Sequence, residues 1–87
     1  MAVLYRHHTS GLDTSTYDQV SSQLTPKLKQ APGFMYHCAF ATPDGFVVSE
    51  IWESKEQHDS WFNESVKPNV PAEITVEEFD VHNIVTP

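Results

Sequence analysis

The sequence has a single cysteine, Cys38, and therefore cannot close an internal disulfide. Positive charge is scarce: five Lys plus Arg stand against twelve Asp plus Glu, for a formal net charge of -7 and a pI near 4.9. Nucleic acids and anionic membrane surfaces demand basic patches, so both are excluded as partners, leaving small molecules or proteins. No apolar run approaches the roughly 18 residues that span a bilayer. The opening MAVLYRHH lacks the apolar stretch and small-residue cleavage site of a secretory signal, so a reducing, cytoplasmic setting is expected. There is no Cys-x-x-Cys pair, and the spacings of His7, His8, His37, His58 and His82 match no common ligand motif. Neither a metal nor a cofactor is expected. Repeats and low-complexity tracts are absent too. At 87 residues and 9.9 kDa the chain reads as one domain, residues 1–87. At about this size a lone core buries only about 60% of the unfolded chain's surface, so association would stabilise it.

What is present is concentrated in residues 33–62. Two runs rich in aromatic and β-branched residues, 34–42 and 46–52, flank Thr42-Pro43-Asp44-Gly45, whose Asp-Gly pair is a strong hairpin signal. With Asp44 and Gly45 as the loop residues, His37 faces Trp52 and Ala39 faces Glu50 across the ladder. Alternation then puts Met35, His37, Ala39, Ala41, Phe46, Val48, Glu50 and Trp52 on one face. Tyr36, Cys38, Phe40, Val47, Ser49 and Ile51 occupy the other. Both faces are largely apolar, and a small α+β domain covers only one with its own helices. Leaving several such side chains wet forgoes roughly 1.5–3 kcal/mol each, so a second copy packing sheet to sheet is the simplest cover.

The remaining elements follow from periodicity. Residues 1–8, with Val3, Leu4 and Tyr5, read as a first strand on which His7 and His8 point to opposite faces. From Ser15 or Thr16 the spacing of Tyr17, Val20, Leu24, Leu28 and Ala31 predicts a helix, with Thr16 and Gln19 as a capping box. Pro26 predicts a kink or a second short helix capped by Thr25, and Pro32-Gly33 ends it. After the hairpin, Ser54-Lys55-Glu56-Gln57 is another capping box, and His58, Trp61, Phe62 and Val66 form one helical stripe that stops at Pro68. Residues 74–85 read as a long last strand. Strand, helix, strand, strand, helix, strand is the order of a ferredoxin-like split βαβ sandwich: a four-stranded antiparallel sheet with both helices on one face.

Ala31-Pro32-Gly33-Phe34 before the hairpin, Glu50-Ile51-Trp52-Glu53-Ser54 at its exit and Trp61 on the next helix resemble the dimeric α+β barrel superfamily. The resemblance is strongest to the antibiotic biosynthesis monooxygenase (ABM) domain family, and covers most of the chain. It implies a homodimer through the sheet face and a pocket between sheet and helices. It also implies an activity among those of the family, which includes monooxygenases of aromatic polyketide-like phenols that need no cofactor, haem-degrading enzymes, and proteins without known activity. Trp61 stands where many relatives carry a helix histidine, with His58 one turn earlier, a departure that argues against haem ligation.

His37 and Glu50 share a hairpin face, close enough for the carboxylate to orient the imidazole, and so are candidates for a general base and its orienter. The competing reading is a polar pair satisfied at a dimer seam. Trp52, Trp61, Tyr36, Phe40 and His58 are candidate substrate-binding residues, the two tryptophans equally serving as plain core. Tyr5, Tyr17 and Tyr36 each offer a hydroxyl, and Cys38 reads as a small apolar core residue. The leading expectation is a cofactor-independent monooxygenase acting on a small aromatic or polyketide-like molecule. An oxygen-independent cyclase, lyase or isomerase is a second possibility, and a non-catalytic ligand-binding dimer a third.

Overall fold

Strands form where large apolar side chains alternate with polar ones, and the computed structural model, which describes residues 1–87, contains four. They are β1 (Val3–Ser10), β2 (Phe34–Thr42), β3 (Gly45–Trp52) and β4 (Glu73–Asp80). All pairings are antiparallel, in the order β2-β3-β1-β4. Helix α1 (Thr14–Leu28) connects β1 to β2, and α2 (Lys55–Trp61) with a following π-helical turn (Phe62–Val66) connects β3 to β4. Residues of both helices pack over the same face of the sheet, giving the ferredoxin-like α+β sandwich that the element order predicts.

Local chemistry sets the helix ends. Asp13 caps α1, its carboxylate accepting the Thr16 N–H at 2.7 Å, so the helix begins ahead of the predicted Thr16 box. A carboxylate at the positive end of the helix dipole is a better cap than a hydroxyl one turn further in. That hydrogen bond in turn holds Asp13 below the ordinary carboxylate range. Pro26 does not split the helix. It lies in the last turn, where a missing N–H removes one terminal bond rather than an interior ladder. Ser54 caps α2 as expected, accepting the Gln57 N–H at 3.3 Å while donating to the Gln57 side chain at 3.0 Å. Between α1 and β2 the chain turns through Gly33 at φ +84°, where an added Cβ would sit 2.0 Å from Gln57 Oε1. Any side chain there is strained by the positive φ and must displace the end of the Gln57 side chain.

The hairpin register differs from the prediction. Thr42 pairs with Gly45, so the loop residues are Pro43 and Asp44, and His37 stands directly opposite Glu50 rather than opposite Trp52. Gly45 has no positive φ; it opens β3 because a Cβ would lie 2.2 Å from the Thr9 carbonyl oxygen of the neighbouring strand. The glycine serves close strand approach, not turn conformation. A bulge between Phe34 and Tyr36 also moves Met35 off the helix-covered face. Phe34 takes that place and meets Trp52 edge-on, with ring centroids 5.6 Å apart.

The core lies between sheet and helices, where Val3, Tyr5, Leu28, Trp52 and Trp61 form one buried cluster flanked by Leu24, Ala31, Phe34 and Val66. Trp52 is wholly inaccessible. The uncovered face carries Tyr36, Phe40 and Phe79, each nearly half exposed (49, 47 and 49%). Two expectations are corrected here. Tyr36 and Phe40, expected on a face nearer the helices, lie away from them, and Cys38, on their face of β2, is half-buried rather than core. The last strand stops at Asp80, and residues 81–87 have no regular structure beyond a hydrogen bond from the Val81 N–H to the Ala2 carbonyl at 3.0 Å. No helix is long and apolar enough to cross a membrane.

Gly45→Ala is expected to cost about 1–3 kcal/mol of unfolding free energy in urea titration, through overpacking against Thr9. Asp44→Ala should stay within about 0.5 kcal/mol. A neutral Gly45→Ala would contradict the close approach of β1 and β3.

Candidate active site

Two hydrogen-bonded groups of side chains rise from the helix-covered face of the sheet. The first is centred on Glu50, in the middle of β3 and only 4% exposed. A buried carboxylate needs donors, and it has two: His37 Nδ1–H donates to Oε2 at 2.8 Å, and Trp52 Nε1–H donates to Oε1 at 3.0 Å. With Nδ1 protonated, His37 Nε2 accepts from the Tyr17 hydroxyl, 2.9 Å away on α1. Burial alone would raise the Glu50 carboxyl, but the hydrogen bonds from His37 and Trp52 and the nearby His7 outweigh it and hold the group below the ordinary carboxylate range. Burial pushes the Tyr17 phenol up, so that it remains a donor. Its ring stacks on Phe46 at 4.8 Å, which fixes the direction of the hydroxyl.

The second group joins β1 to α2. Alternation along β1 turns Val3, Tyr5, His7 and Thr9 inward and leaves Arg6 and His8 outside. His7 Nδ1 lies 3.1 Å from the Val48 carbonyl oxygen, and its Nε2 lies 2.9 Å from Nε2 of His58. His58 Nδ1 lies 2.9 Å from Oδ1 of Asp59. Tyr5 stacks on the His58 ring with centroids 3.5 Å apart and planes 5° from parallel, and Phe62 lies against both imidazoles at 5.4 and 5.6 Å. Burial lowers the His7 pKa below its ordinary value. The Tyr5 phenol, buried and beside Glu78 and Asp59, is pushed up to about 12. Its oxygen has no hydrogen-bond partner.

Between the sheet, α1 and the π-helical turn lies a cavity of about 80 Å³. Leu12, Val20, Leu24, Leu28, Trp61 and Phe62 supply much of its apolar wall, and His7, Thr9, Tyr17, His37 and Glu50 its polar patch. Of the predicted site residues, His37, Glu50 and Trp61 meet this cavity. Trp52 does not; it is core beneath Glu50, where its N–H holds the carboxylate. His58 is buried behind His7, and Tyr36 and Phe40 are on the opposite face. The pair His37–Glu50 therefore lies on the covered side and not at an open sheet surface.

The sequence left two participants unassigned. Tyr17 was one hydroxyl among three, although its place at the head of the apolar stripe of α1 marks it as inward-facing. His7 could not be separated from His8 until β1 had a covered side. No metal set was expected from the spacings, yet strand and helix packing bring ligand atoms of His7, Glu50 and His58 within 4.8 Å of one another.

No family model matches the sequence, and no curated protein matches it. Among solved structures the chain is similar to SnoaB, a cofactor-independent oxygenase from Streptomyces nogalater, at a TM-score of 0.65 and 11% identity over 99% of this chain and 97% of that one. It is also similar to MhuD, a heme-degrader from Mycobacterium tuberculosis with two hemes bound in its active site, at a TM-score of 0.61 and 17% identity over 97% and 99% of the two chains. A third likeness is to a Nitrosomonas europaea protein, provisionally an antibiotic biosynthesis monooxygenase, at a TM-score of 0.69 and 11% identity over 93% and 90%. The chain shares its fold with these three proteins.

Removing the carboxylate should be costly. Glu50→Ala leaves the Trp52 N–H and His37 without their acceptor, and an unfolding titration is expected to show a loss of about 3 kcal/mol. Tyr17→Phe, which deletes one partly exposed hydrogen bond, should lose roughly 1 kcal/mol or less by the same measurement.

Proposed function

We propose that the chain is a small-molecule enzyme of the ABM type, a monooxygenase or close relative that needs no organic cofactor and acts on a small aromatic or polyketide-like compound. The observation that carries this reading is the hydrogen-bonded series Tyr17–His37–Glu50–Trp52, which opens onto an apolar cavity. His37 is the base. Its Nε2 takes the proton of a phenol or enol that displaces the Tyr17 hydroxyl, and the buried Glu50 carboxylate holds Nδ1–H and stabilises the imidazolium that forms. Tyr17 then donates to the substrate oxyanion, and the ionised substrate is itself the electron donor to dioxygen. The oxygenase SnoaB, with the same fold, supports this choice of reaction class.

The cavity of about 80 Å³ accommodates dioxygen but not an aromatic substrate, since ligand pockets are typically about 300–1,000 Å³. Substrate binding therefore requires part of the wall to move outward, and Phe62, Val66 and Val70 are its members on and after the π-helical turn. A π-helical turn at that wall is a common device at functional sites. The same small volume favours a second reading, a non-catalytic dimer that binds a small ligand or none. An oxygen-independent cyclase, lyase or isomerase would use the same base. Under all three readings the apolar outer face around Tyr36, Phe40 and Phe79 packs on a second copy of the chain.

With enolisable polycyclic phenols as substrates, oxygen consumption is expected, and His37→Ala should lower kcat by about 10²–10⁴ while the thermal midpoint moves by only a few degrees. Turnover that persists without oxygen would assign the isomerase class. Absence of turnover, and of NMR shifts at cavity residues, would assign the non-catalytic one. Native mass spectrometry should give twice 9.9 kDa for the parent chain and the single mass for Phe40→Glu.

A further inference from the structure

We propose that His7, His58 and Glu50 form a site for one divalent first-row transition-metal ion, of the zinc and ferrous iron class that imidazole and carboxylate ligands favour. The inference shares Glu50 and His7 with the site read above as an oxygenase, and rests on the geometry of the imidazole pair and its hydrogen-bond partners. Three short contacts run in series: Val48 carbonyl oxygen to His7 Nδ1 at 3.1 Å, His7 Nε2 to His58 Nε2 at 2.9 Å, and His58 Nδ1 to Asp59 Oδ1 at 2.9 Å. Each needs a hydrogen, and two neutral imidazoles carry only two. The outer contacts end on a carbonyl and on a carboxylate that also pairs with Lys55 at 3.0 Å, and these oxygens only accept. Both ring hydrogens are therefore held on Nδ1. The two Nε2 atoms face each other inside the protein, where His7 is 5% and His58 2% exposed, and either a metal ion or one added proton between them relieves the opposition of their lone pairs.

The surroundings are those of metal ligands. A ligating histidine ordinarily donates its other ring N–H to a backbone carbonyl or a carboxylate, which fixes the tautomer, and His7 and His58 show one case each. The nitrogen separation of 2.9 Å is that of two adjacent ligands at a right angle and is short for tetrahedral zinc. Two metal–nitrogen bonds of about 2.1 Å at a right angle place the nitrogens ~3.0 Å apart, and a tetrahedral angle places them ~3.4 Å apart. Glu50 adds a buried negative charge within 4.8 Å; its two oxygens accept from His37 and Trp52, so direct ligation replaces one of these hydrogen bonds. Because His7 and Glu50 also line the cavity, the remaining coordination positions face it and are open to water or a substrate oxygen.

The test uses the full chain after chelator treatment, titrated calorimetrically with Zn²⁺ and followed spectroscopically with Co²⁺. One ion per chain is expected, with cobalt bands of nitrogen and oxygen coordination. His58→Ala should weaken binding by more than roughly 100-fold, and Asp59→Asn, which alters only the partner of a ligand, by about 10- to 100-fold. His8→Ala, on the outer face, should leave binding unchanged. If His58→Ala does not fold, as read from amide NMR dispersion, Asp59→Asn and Glu50→Gln decide the question. Absence of binding would overturn the proposal and assign a shared proton to the imidazole pair. Binding that survives the substitutions at Asp59 and Glu50 would overturn it as well, placing the ion elsewhere.

Discussion

A carboxylate in the middle of a sheet, under two helices, must be given donors or it cannot stay ionised. Glu50 is that carboxylate, and its neighbours are arranged around the requirement. His37 on β2 and Trp52 on its own strand supply N–H groups, and His7 on β1 stands near enough to lower its pKa. Tyr17 from α1 completes His37, and His58 from α2 meets His7 ring to ring. Five elements thus converge on a single side chain. In a low-dielectric interior such a network is worth most when every member is satisfied, and it selects one packing among several that apolar contacts alone would permit.

The two faces of the sheet divide the labour. The covered face holds the apolar cluster and both polar groups side by side, with Trp52 and Tyr5 buried among them. The outer face carries half-exposed aromatic side chains together with the exposed pair His8–Glu77. The π-helical turn and residues 67–72 are held by local backbone hydrogen bonds, such as Lys67 N–H to the Phe62 carbonyl and Val70 N–H to the Val66 carbonyl, and not by a strand ladder.

Much of this was legible from pattern. Alternation and helical spacing predict the order of elements and the hairpin, and Ser54 with Gln57 marks the start of α2. The partnership of His37 with Glu50 follows from their common face, whichever of the two registers is chosen, because a shift of one residue in each strand preserves the faces. The register itself was not legible. An Asp-Gly pair signals a turn by its tolerance of positive φ, whereas Gly45 is needed for its lack of a Cβ next to the Thr9 carbonyl, a contact with a strand distant in sequence. Likewise the bulge at Met35 and the choice of Asp13 over Thr16 as cap depend on how neighbouring elements meet.

The sequence by itself determined the class of fold, the apolar character of both sheet faces, and the absence of a basic surface, because these follow from composition and local periodicity. Tertiary structure alone decided which face the helices cover, and with it that Tyr36 and Phe40 point outward while His37 and Glu50 point in. It alone brought His7 to His58 across a separation of 51 residues. Period-two alternation divides a strand into two sides without saying which is inside, and contacts between distant segments depend on how whole elements dock, which local spacing does not encode.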